Sequence, residues 1–232
     1  MKRGKLYIVG TPIGNLNDVT YSAVEILKSC NFVLAEDTRV SRKLFNRYNI
    51  STPLISYRDQ NHSRMIGKIR EKLDMGLNLA LISDSGTPLI SDPGFKLVRE
   101  LRENGYSIES VPGPSAVISA LSISGLPTDR FIFLGFLPKS KIKRERILQR
   151  YLQLEDTVII YESPYRLVSF LTLLEKLSGQ CDVVLAKDLT KLREEISVGK
   201  PREILEKLLS KNYDKNPHGE ITILVHSTSK KD

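Results

Sequence analysis

The sequence lacks long apolar runs and is poor in cysteine and histidine. No apolar stretch approaches the roughly 18 residues that a membrane-spanning helix needs, so we expect neither a membrane segment nor a signal peptide. Its two cysteines, Cys30 and Cys181, lie far apart beside apolar segments, which is typical of reduced core thiols in a cytoplasmic protein. The cysteines and three histidines do not have zinc-site spacing, and we expect no metal.

Acidic residues are outnumbered by basic ones. The 232 residues include 35 Lys and Arg against 27 Asp and Glu, which gives a net charge of +8. A basic surface attracts polyanions, although a charge of this size also serves solubility. With 41% hydrophobic residues the chain is predicted to fold, as one large or two modest domains.

Strand-like and helical patterns alternate along the whole chain. Ten short β-rich runs and eight amphipathic runs, one of them over Ser41–Tyr48, predict α/β layers around mostly parallel sheets. The strands divide five and five around Pro112-Gly113-Pro114, which predicts two α/β domains, 1–112 and 113–232. Glycine-rich and polar segments follow strands in both halves, and we therefore expect a ligand cleft between the domains.

Acidic residues follow two of the predicted strands. Asp84 ends the apolar run Leu79–Ile82, where a charge is costly without a partner, and a ligand ribose or amine would provide one. Glu36, Asp37 and Arg39 follow another strand. They are equally compatible with a ligand site and with a helix N-terminus carrying a local ion pair.

Basic residues cluster after a predicted strand in the second half. Six of the thirteen residues from Pro138 to Arg150 are cations, opposed only by Glu145. Such a run forms either a solvated helix face or a phosphate-binding surface. The histidines form no catalytic group: His62 is expected at the surface and His226 in a structural role. No serine or cysteine lies in a nucleophile elbow, and Gly10–Asn15 lacks the dinucleotide and P-loop patterns.

Several longer motifs occur in a recognisable order. They are Leu6–Leu16, Ala35–Arg39, Ser83–Gly94, Val111–Ser115 and Gly125–Phe131. Together they resemble the tetrapyrrole methylase superfamily, the class III methyltransferases, and within it the ribosomal RNA small subunit methyltransferase I family. The similarity runs from about residue 5 to residue 226. Histidine is frequent in that family within the segments that here read Tyr57–Asn61 and Ser163–Tyr165, so these two segments depart from its pattern.

The resemblance implies a fold, a cofactor and a substrate. The fold is two α/β domains with S-adenosylmethionine in the cleft between them, usually in a homodimer. The reaction is 2′-O-methylation of a decoding-region cytidine of 16S rRNA, cytidine-1402 in the usual numbering, on the small ribosomal subunit in the cytoplasm. Carried over by motif, the cofactor-binding residues are Ile13, Asp84, Gly86, Thr87, Ser115, Ala116, Tyr161, Ala186, His218 and Gly219.

Roles in catalysis and RNA binding follow as hypotheses. The sulfonium loses its charge as the methyl group leaves, so carboxylates belong near the target hydroxyl rather than at the sulfur. Asp37 is the first candidate base and Glu162 the second, with Arg39 and Lys187 anchoring phosphate or lowering the pKa of the hydroxyl. Substrate-binding residues are predicted at Arg39, Asn61, Lys139, Lys141, Arg144, Arg166 and Lys191.

Two alternatives remain open from the sequence. A tetrapyrrole or diphthine-type methyltransferase would share the cofactor cleft, but the basic run Pro138–Arg150 favours RNA. A non-catalytic RNA-binding protein would explain the charge without explaining the motif around Asp84, and it would not bind S-adenosylmethionine.

Overall fold

The computed structural model describes residues 3–227. The chain divides into two compact units between Ser115 and Ala116, and each unit contains one five-stranded sheet. The boundary predicted after residue 112 lies three residues before this division. The α/β architecture is confirmed. Within residues 3–227, no helix has both the length and the apolar character needed to cross a bilayer.

The first unit is a parallel sheet with helices on both faces. Its strand order is β3-β2-β4-β1-β5, and every pair of neighbours is parallel. The elements are β1 (Lys5–Val9), α1 (Tyr21–Ser29), β2 (Phe32–Ala35), α2 (Thr38–Arg47), β3 (Leu54–Ser56), α3 (His62–Asp74), β4 (Leu79–Ile82), α4 (Phe95–Glu103) and β5 (Ser107–Val111).

Both faces of this sheet are buried because successive strand residues point in opposite directions. On β4, Ala80 and Ile82 belong to the apolar cluster formed with α1 and α2. Leu79 and Leu81 belong to the cluster formed with α3 and α4 on the other face. An uninterrupted apolar run such as Leu79–Ile82 is what a strand covered on both sides requires.

Helix α2 begins earlier than the sequence pattern indicates. The prediction placed this helix over Ser41–Tyr48, whereas it spans Thr38–Arg47. The difference arises at the N-cap, where the side chain of Asp37 accepts a hydrogen bond from the backbone N–H of Arg39. This cap gives a backbone N–H of the first helical turn a hydrogen-bond acceptor. The first turn consists mostly of polar residues, so the spacing of apolar residues does not reveal it.

The second unit contains a mixed sheet, with order β6-β7-β10-β8-β9. Only β6 and β7 are parallel, whereas β10 is antiparallel to β7 and β8, and β8 is antiparallel to β9. The elements are α5 (Ala116–Ser122), β6 (Phe131–Phe136), α6 (Lys141–Tyr151), β7 (Thr157–Glu162), α7 (Leu167–Ser178), β8 (Asp182–Lys187), β9 (Glu195–Gly199), α8 (Pro201–Ser210) and β10 (Ile221–His226).

The expectation of mostly parallel sheets is therefore wrong for the second unit. β8 and β9 are joined by residues 188–194 alone, without a crossover helix, and so short a connection pairs strands antiparallel. One face of this sheet packs against α6, α7 and α8, through residues such as Leu148, Phe170 and Leu208. Both cysteines are buried and free, as predicted.

A close backbone approach joins the loops that follow β1 and β5. A Cβ atom at Gly113 would lie 2.8 Å from Cα of Gly10, and one at Gly10 would lie 2.7 Å from Cα of Gly113. Real Cβ atoms do not approach backbone this closely, so neither position has room for a methyl group. Gly67 in α3 is the opposite case, with no atom within 4 Å of its Cβ position.

We predict opposite effects of one substitution at two glycines. Gly113→Ala is expected to lower the free energy of unfolding by about 1–3 kcal/mol, because the methyl group must displace backbone. Gly67→Ala is expected to raise it by about 0.5–1 kcal/mol, because alanine is the better helix former. Urea unfolding followed by circular dichroism measures both. Equal destabilisation by the two variants would contradict the close-approach explanation.

Candidate functional site

In the first unit, the loops after β1 and β4 are joined by backbone pairing. β1 and β4 are neighbours in the sheet. The connection from β1 runs to β2 on one side of this pair, whereas the connection from β4 runs to β5 on the other side. Such a point in an open parallel sheet is where ligands bind. The Thr11 N–H donates to the Gly86 carbonyl at 2.8 Å and the Gly86 N–H donates back at 3.2 Å.

Most of the cofactor-binding residues predicted in this unit are brought together beside that pairing. Gly86 has φ +80°, and a Cβ there would lie 3.3 Å from Cγ2 of Ile13. The Thr87 hydroxyl donates to the Pro114 carbonyl at 3.2 Å, which places it next to Ser115 in the chain. The three loops thus form one surface at the carboxyl edge of the sheet, and the positive φ of Gly86 favours glycine at that position.

Carboxylates and guanidinium groups form a network at the same edge. Asp84 Oδ1 accepts a hydrogen bond from the backbone N–H of Asp37 at 2.9 Å. The Asp37 carboxylate accepts from the backbone N–H of Arg39 at 2.9 Å, and from its Nε at 3.0 Å and Nη2 at 2.6 Å. Arg58 Nε donates to the Glu36 carbonyl at 3.0 Å. Asp84 therefore positions the segment that carries Asp37.

Asp37 is a weaker base than the sequence suggests. Hydrogen bonds from Arg39 hold the pKa of the Asp37 carboxyl well below its usual range. A general base works best with a pKa near the operating pH. The helix N-terminus with a local ion pair, one of the two interpretations open from the sequence, is what the structure contains. Arg39 itself is 87% exposed at its side chain and available to solution.

Two further carboxyls lie at this edge: Glu36, which the sequence places beside Asp37, and Asp92, which the sequence does not assign to the site. Burial and the charge of Asp84 raise the pKa of Glu36. Burial, with the charges of Glu36 and Asp84 adding to it, raises the pKa of Asp92 to about 6. The motif containing Asp92 was visible, but its burial depends on the fold. Among residues 3–227 no three His, Cys, Asp or Glu side chains are arranged to hold a metal ion.

Asn61, predicted to bind substrate, stabilises the turn after β3. Its Oδ1 accepts from the backbone N–H of Arg58 at 3.0 Å, and its Nδ2 donates to the Ser56 carbonyl at 3.3 Å. The next residue, His62, is buried, although the sequence suggested a surface position. Its Nδ1 is 2.9 Å from the Tyr57 hydroxyl and its Nε2 is 3.0 Å from Glu100 Oε2, so two polar partners compensate its burial.

In the second unit, two predicted cofactor-binding residues lie in one row across three strands. Tyr161 on β7 is opposite Thr222 on β10, and Thr222 is opposite Ala186 on β8. Directly opposite residues share a face of the sheet, so Tyr161 and Ala186 point to the same side. The Tyr161 ring contacts Phe133, with ring centroids 4.9 Å apart. Ala116, also predicted, begins α5, and α5 contacts β10.

Gly219 is packed against the chain that leaves β8. It has φ +96°, and a Cβ there would lie 2.8 Å from Asp188 Oδ2 and 2.9 Å from Cγ of Lys187. The neighbouring His218 carbonyl accepts from the Tyr213 hydroxyl at 2.7 Å. The structure therefore brings His218 and Gly219 to the end of the strand that carries Ala186.

Glu162, the second candidate base, is fully buried at its side chain. Its Oε1 accepts hydrogen bonds from the Ser163 N–H and from Arg166 Nη2, both at 2.6 Å. Its Oε2 is buried and has no hydrogen-bond partner within the described chain. Arg166 also donates to the Leu137 carbonyl at 3.1 Å. A buried acceptor without a donor is unusual in a folded protein.

Several cations predicted to bind phosphate have intramolecular partners instead. Lys187 is 9% exposed, and its Nζ is 3.3 Å from Glu195 Oε2. Lys191 Nζ is 2.5 Å from Glu220 Oε1. The prediction that Lys187 anchors phosphate is therefore not met by this geometry, because the ammonium is buried and already paired.

Helix α6 presents most of the basic run to solvent. Lys139 and Lys141 are exposed, as predicted for RNA-binding residues. Arg144 is the exception, with only 6% exposure, because the helical period places it on the same face as the buried Leu148. The assignment of Arg144 to RNA contact is corrected accordingly, and the exposed arginine in this part of α6 is Arg146.

Comparisons with known proteins agree with the resemblance noted in the sequence. A model of the tetrapyrrole (corrin/porphyrin) methylases matches residues 5–205. The chain is 42% identical to the ribosomal RNA small subunit methyltransferase I of Thermotoga maritima, over 96% of this chain and 98% of that protein. It is 45% identical to the protein of the same name from Vibrio cholerae, over 95% of this chain and 76% of that one.

Solved structures bear out the fold alone. A diphthine synthase superposes with a TM-score of 0.75 over 97% of this chain and 91% of that one, at 11% identity. Family membership depends on the sequence matches, which cover nearly the whole chain. The chain therefore belongs to the tetrapyrrole methylase family, and within it to the group of ribosomal RNA small subunit methyltransferases I.

Proposed function

We propose that this protein transfers a methyl group from S-adenosylmethionine to the 2′-hydroxyl of a decoding-region cytidine, cytidine-1402, of 16S rRNA. The observation that carries the proposal is identity of 42–45% to two small-subunit rRNA methyltransferases over at least 95% of this chain. The protein is accordingly a methyltransferase of rRNA, and its partner is the small ribosomal subunit. We further propose that it acts in the cytoplasm as a homodimer.

The residues at the carboxyl edge of the first unit fit such a cofactor. Its loops leave a surface where Gly86 approaches Ile13, and a Cβ at position 86 would occupy that space. The Asp84 Oδ2 atom is not engaged by the Asp37 hydrogen bond and provides an acceptor for a ribose hydroxyl or an amine. We propose that Ile13, Asp84, Gly86, Thr87 and Ser115 hold the cofactor.

The second unit fits a flat, partly apolar ligand in the row that contains Tyr161 and Ala186. The aromatic ring offers a contact surface, and Ala186, two strands away in the same row, has a small side chain. At Gly219 any side chain would collide with Asp188. We propose that Ala116, Tyr161, Ala186, His218 and Gly219 complete the cofactor contacts.

When bound, S-adenosylmethionine supplies an electrophilic methyl group on a sulfonium sulfur. The chain's own residues must align the ribose hydroxyl with that methyl group, and alignment contributes on the order of 7–11 kcal/mol in favourable models. We propose that Asp37 orients Arg39 toward an RNA phosphate rather than acting as the base, because Arg39 lowers its pKa. Glu162, the second candidate base, is likewise paired with an arginine, at 2.6 Å from Arg166, and its side chain is fully buried. We therefore propose that Glu162 positions Arg166 rather than accepting the hydroxyl proton.

The remaining predicted RNA contacts divide into two kinds. Lys139 and Lys141 are exposed, and we propose that they contact phosphate directly. Asn61, Arg166 and Lys191 are engaged within the protein, and we propose that they hold the loops that meet the RNA. Lys187 would act in the same indirect way, through its ion pair with Glu195.

The decisive experiment uses small subunits that lack the modification. The purified protein is incubated with them and labelled S-adenosylmethionine, and nuclease fragments are analysed by mass spectrometry. A ribose methyl on the decoding-region cytidine is the expected result, and subunits that already carry it serve as the control. Cofactor binding without RNA labelling would overturn the substrate assignment in favour of a small-molecule acceptor. Absence of both would favour a non-catalytic RNA-binding protein.

Paired variants test the role of Asp37. If Asp37 orients Arg39, Asp37→Asn and Arg39→Ala should both raise KM for the subunit several-fold, with similar kcat and unchanged affinity for S-adenosylmethionine. A base contributes about 10²–10⁴ in rate, so a loss of kcat of that size in Asp37→Asn alone would identify it as the base.

The acidic edge also predicts a pH dependence of stability. The pKa of Asp92 is about 6 in the folded protein and near 3.8 without burial, so the folded state binds more protons between these values. The contribution of Asp92 to the free energy of unfolding therefore falls as pH rises through this window and stays low above pH 6. Asp92→Asn should be more stable than the parent at pH 7.5, by about 1 kcal/mol after allowing for solvent screening.

Chemical unfolding of both proteins at pH 4 and pH 7.5 measures this difference. The stabilisation should nearly disappear at pH 4, where the Asp92 carboxyl is protonated in the folded parent. A stabilisation independent of pH would contradict the assignment of the effect to the carboxylate charge.

A further inference from the structure

A pocket of about 410 Å³ lies between the end of β6 and helix α6, within the second unit. Its apolar lining includes Phe136, Ile147 and Tyr151, and the side chains of Arg146 and Arg150 border it. The volume falls within the range of about 300–1,000 Å³ that is typical of small-ligand sites. None of the individual residues proposed above for cofactor or RNA contact lines it, although part of the basic run Pro138–Arg150 does.

An irregularity in β6 exposes the aromatic residue of this pocket. The register of β6 against β7 shifts between Phe133 and Phe136, and Gly135 between them has φ +60°. Bulges of this kind re-aim a side chain. Phe136 is 58% exposed, and the centroid of its ring lies 5.6 Å from that of Tyr161, one of the proposed cofactor residues. The pocket therefore adjoins the proposed methyl-transfer site through one aromatic contact.

The arginines at the pocket have no acidic partner. Arg146 and Arg150 lie one turn apart on α6, and no carboxylate in residues 3–227 forms an ion pair with either. The one acidic residue of the helix, Glu145, is 3.4 Å from Lys176 instead. The Arg150 guanidinium lies 5.5 Å from the Tyr151 ring centroid. Two exposed cations thus border an aromatic pocket without internal neutralisation.

We propose that this pocket binds an unpaired nucleotide of the RNA substrate, with its base stacked on Phe136 and its flanking phosphates on Arg146 and Arg150. The inference rests on the proposed function and adds a second nucleotide-binding position to it. Every nucleobase has a flat face that stacks on aromatic side chains, and unpaired nucleotides can be splayed out to do so. A ligand that fits this pocket must both stack on an aromatic ring and carry negative charge. These two requirements favour RNA over an apolar protein segment.

Binding of a fluorescent single-stranded RNA oligonucleotide of mixed sequence tests the pocket without methyl transfer. Base stacking on one aromatic side chain corresponds to about a 5- to 150-fold change in affinity on alanine substitution. We expect Phe136→Ala to weaken binding by such a factor and Phe136→Tyr to retain it. Phe131→Ala, on the same strand but outside the pocket, is the matched control and should bind as the parent does.

The salt dependence of binding separates stacking from charge. Removing one cation that binds a phosphate lowers the slope of log affinity against log salt concentration by about 0.7 for single strands. Arg146→Ala and Arg150→Ala should each reduce the slope by that amount. Phe136→Ala should leave the slope unchanged while lowering affinity at every salt concentration. An RNA duplex should bind with little dependence on Phe136.

Three results would overturn the inference. One is unchanged affinity of Phe136→Ala for the oligonucleotide while the parent methylates small subunits, which leaves the proposed function intact. Another is an equal loss of S-adenosylmethionine binding in Phe136→Ala, which would assign Phe136 to the cofactor site through Tyr161. The third is a change of solution mass in that variant, measured by light scattering, which would assign the pocket to an interface between two copies of the chain.

Discussion

The pairing of Thr11 with Gly86 is the constraint from which the arrangement of the first unit's site follows. Two reciprocal backbone hydrogen bonds join the loops after β1 and β4. The buried Thr11 hydroxyl adds hydrogen bonds to the carbonyls of Ser83 and Gly86, at 3.3 and 3.2 Å. Because the two loops are joined at Thr11 and Gly86, Ile13 and Asp84 have little freedom to separate. A rigid frame of this kind is what positioning of reactive groups requires.

The third loop is added by packing rather than by hydrogen bonds alone. β5 pairs with β1, and the close approach of Gly10 and Gly113 brings the loop after β5 against the loop after β1. Thr87 then reaches the Pro114 carbonyl. A glycine pair therefore has a geometric function here, since a methyl group at either position would separate loops that must meet.

The two units distribute charge differently, and net charge alone does not reveal this. At the edge of the first unit, burial raises the pKa values of Glu36 and Asp92, and the charges of neighbouring carboxylates raise them further. In the second unit, Lys187 and Lys191 are compensated by carboxylates, whereas Arg146 and Arg150 of α6 are not. The +8 charge thus becomes an acidic edge in one unit and a basic helix in the other.

The α/β class, the numbers of strands and helices, and the family can all be predicted from the sequence alone. Apolar strand runs, helix periods and long ordered motifs are local properties, so a single sequence contains them. It did not determine the direction of β8, β9 and β10, because strand pairing depends on how connections fold back rather than on the strands themselves.

Which charged groups are available to a ligand depends on tertiary packing. Arg144 and Arg146 are equivalent in a run of basic residues, yet the first is buried and the second exposed because α6 packs with one face. Asp37 has the residue type of a base, but its cap position and Arg39 lower its pKa. The pocket at Phe136 arises from a bulge in β6 and the approach of α6. Burial, ion pairing and pocket shape depend on contacts between residues that are far apart in the sequence, so the order of residue types along the chain does not reveal them.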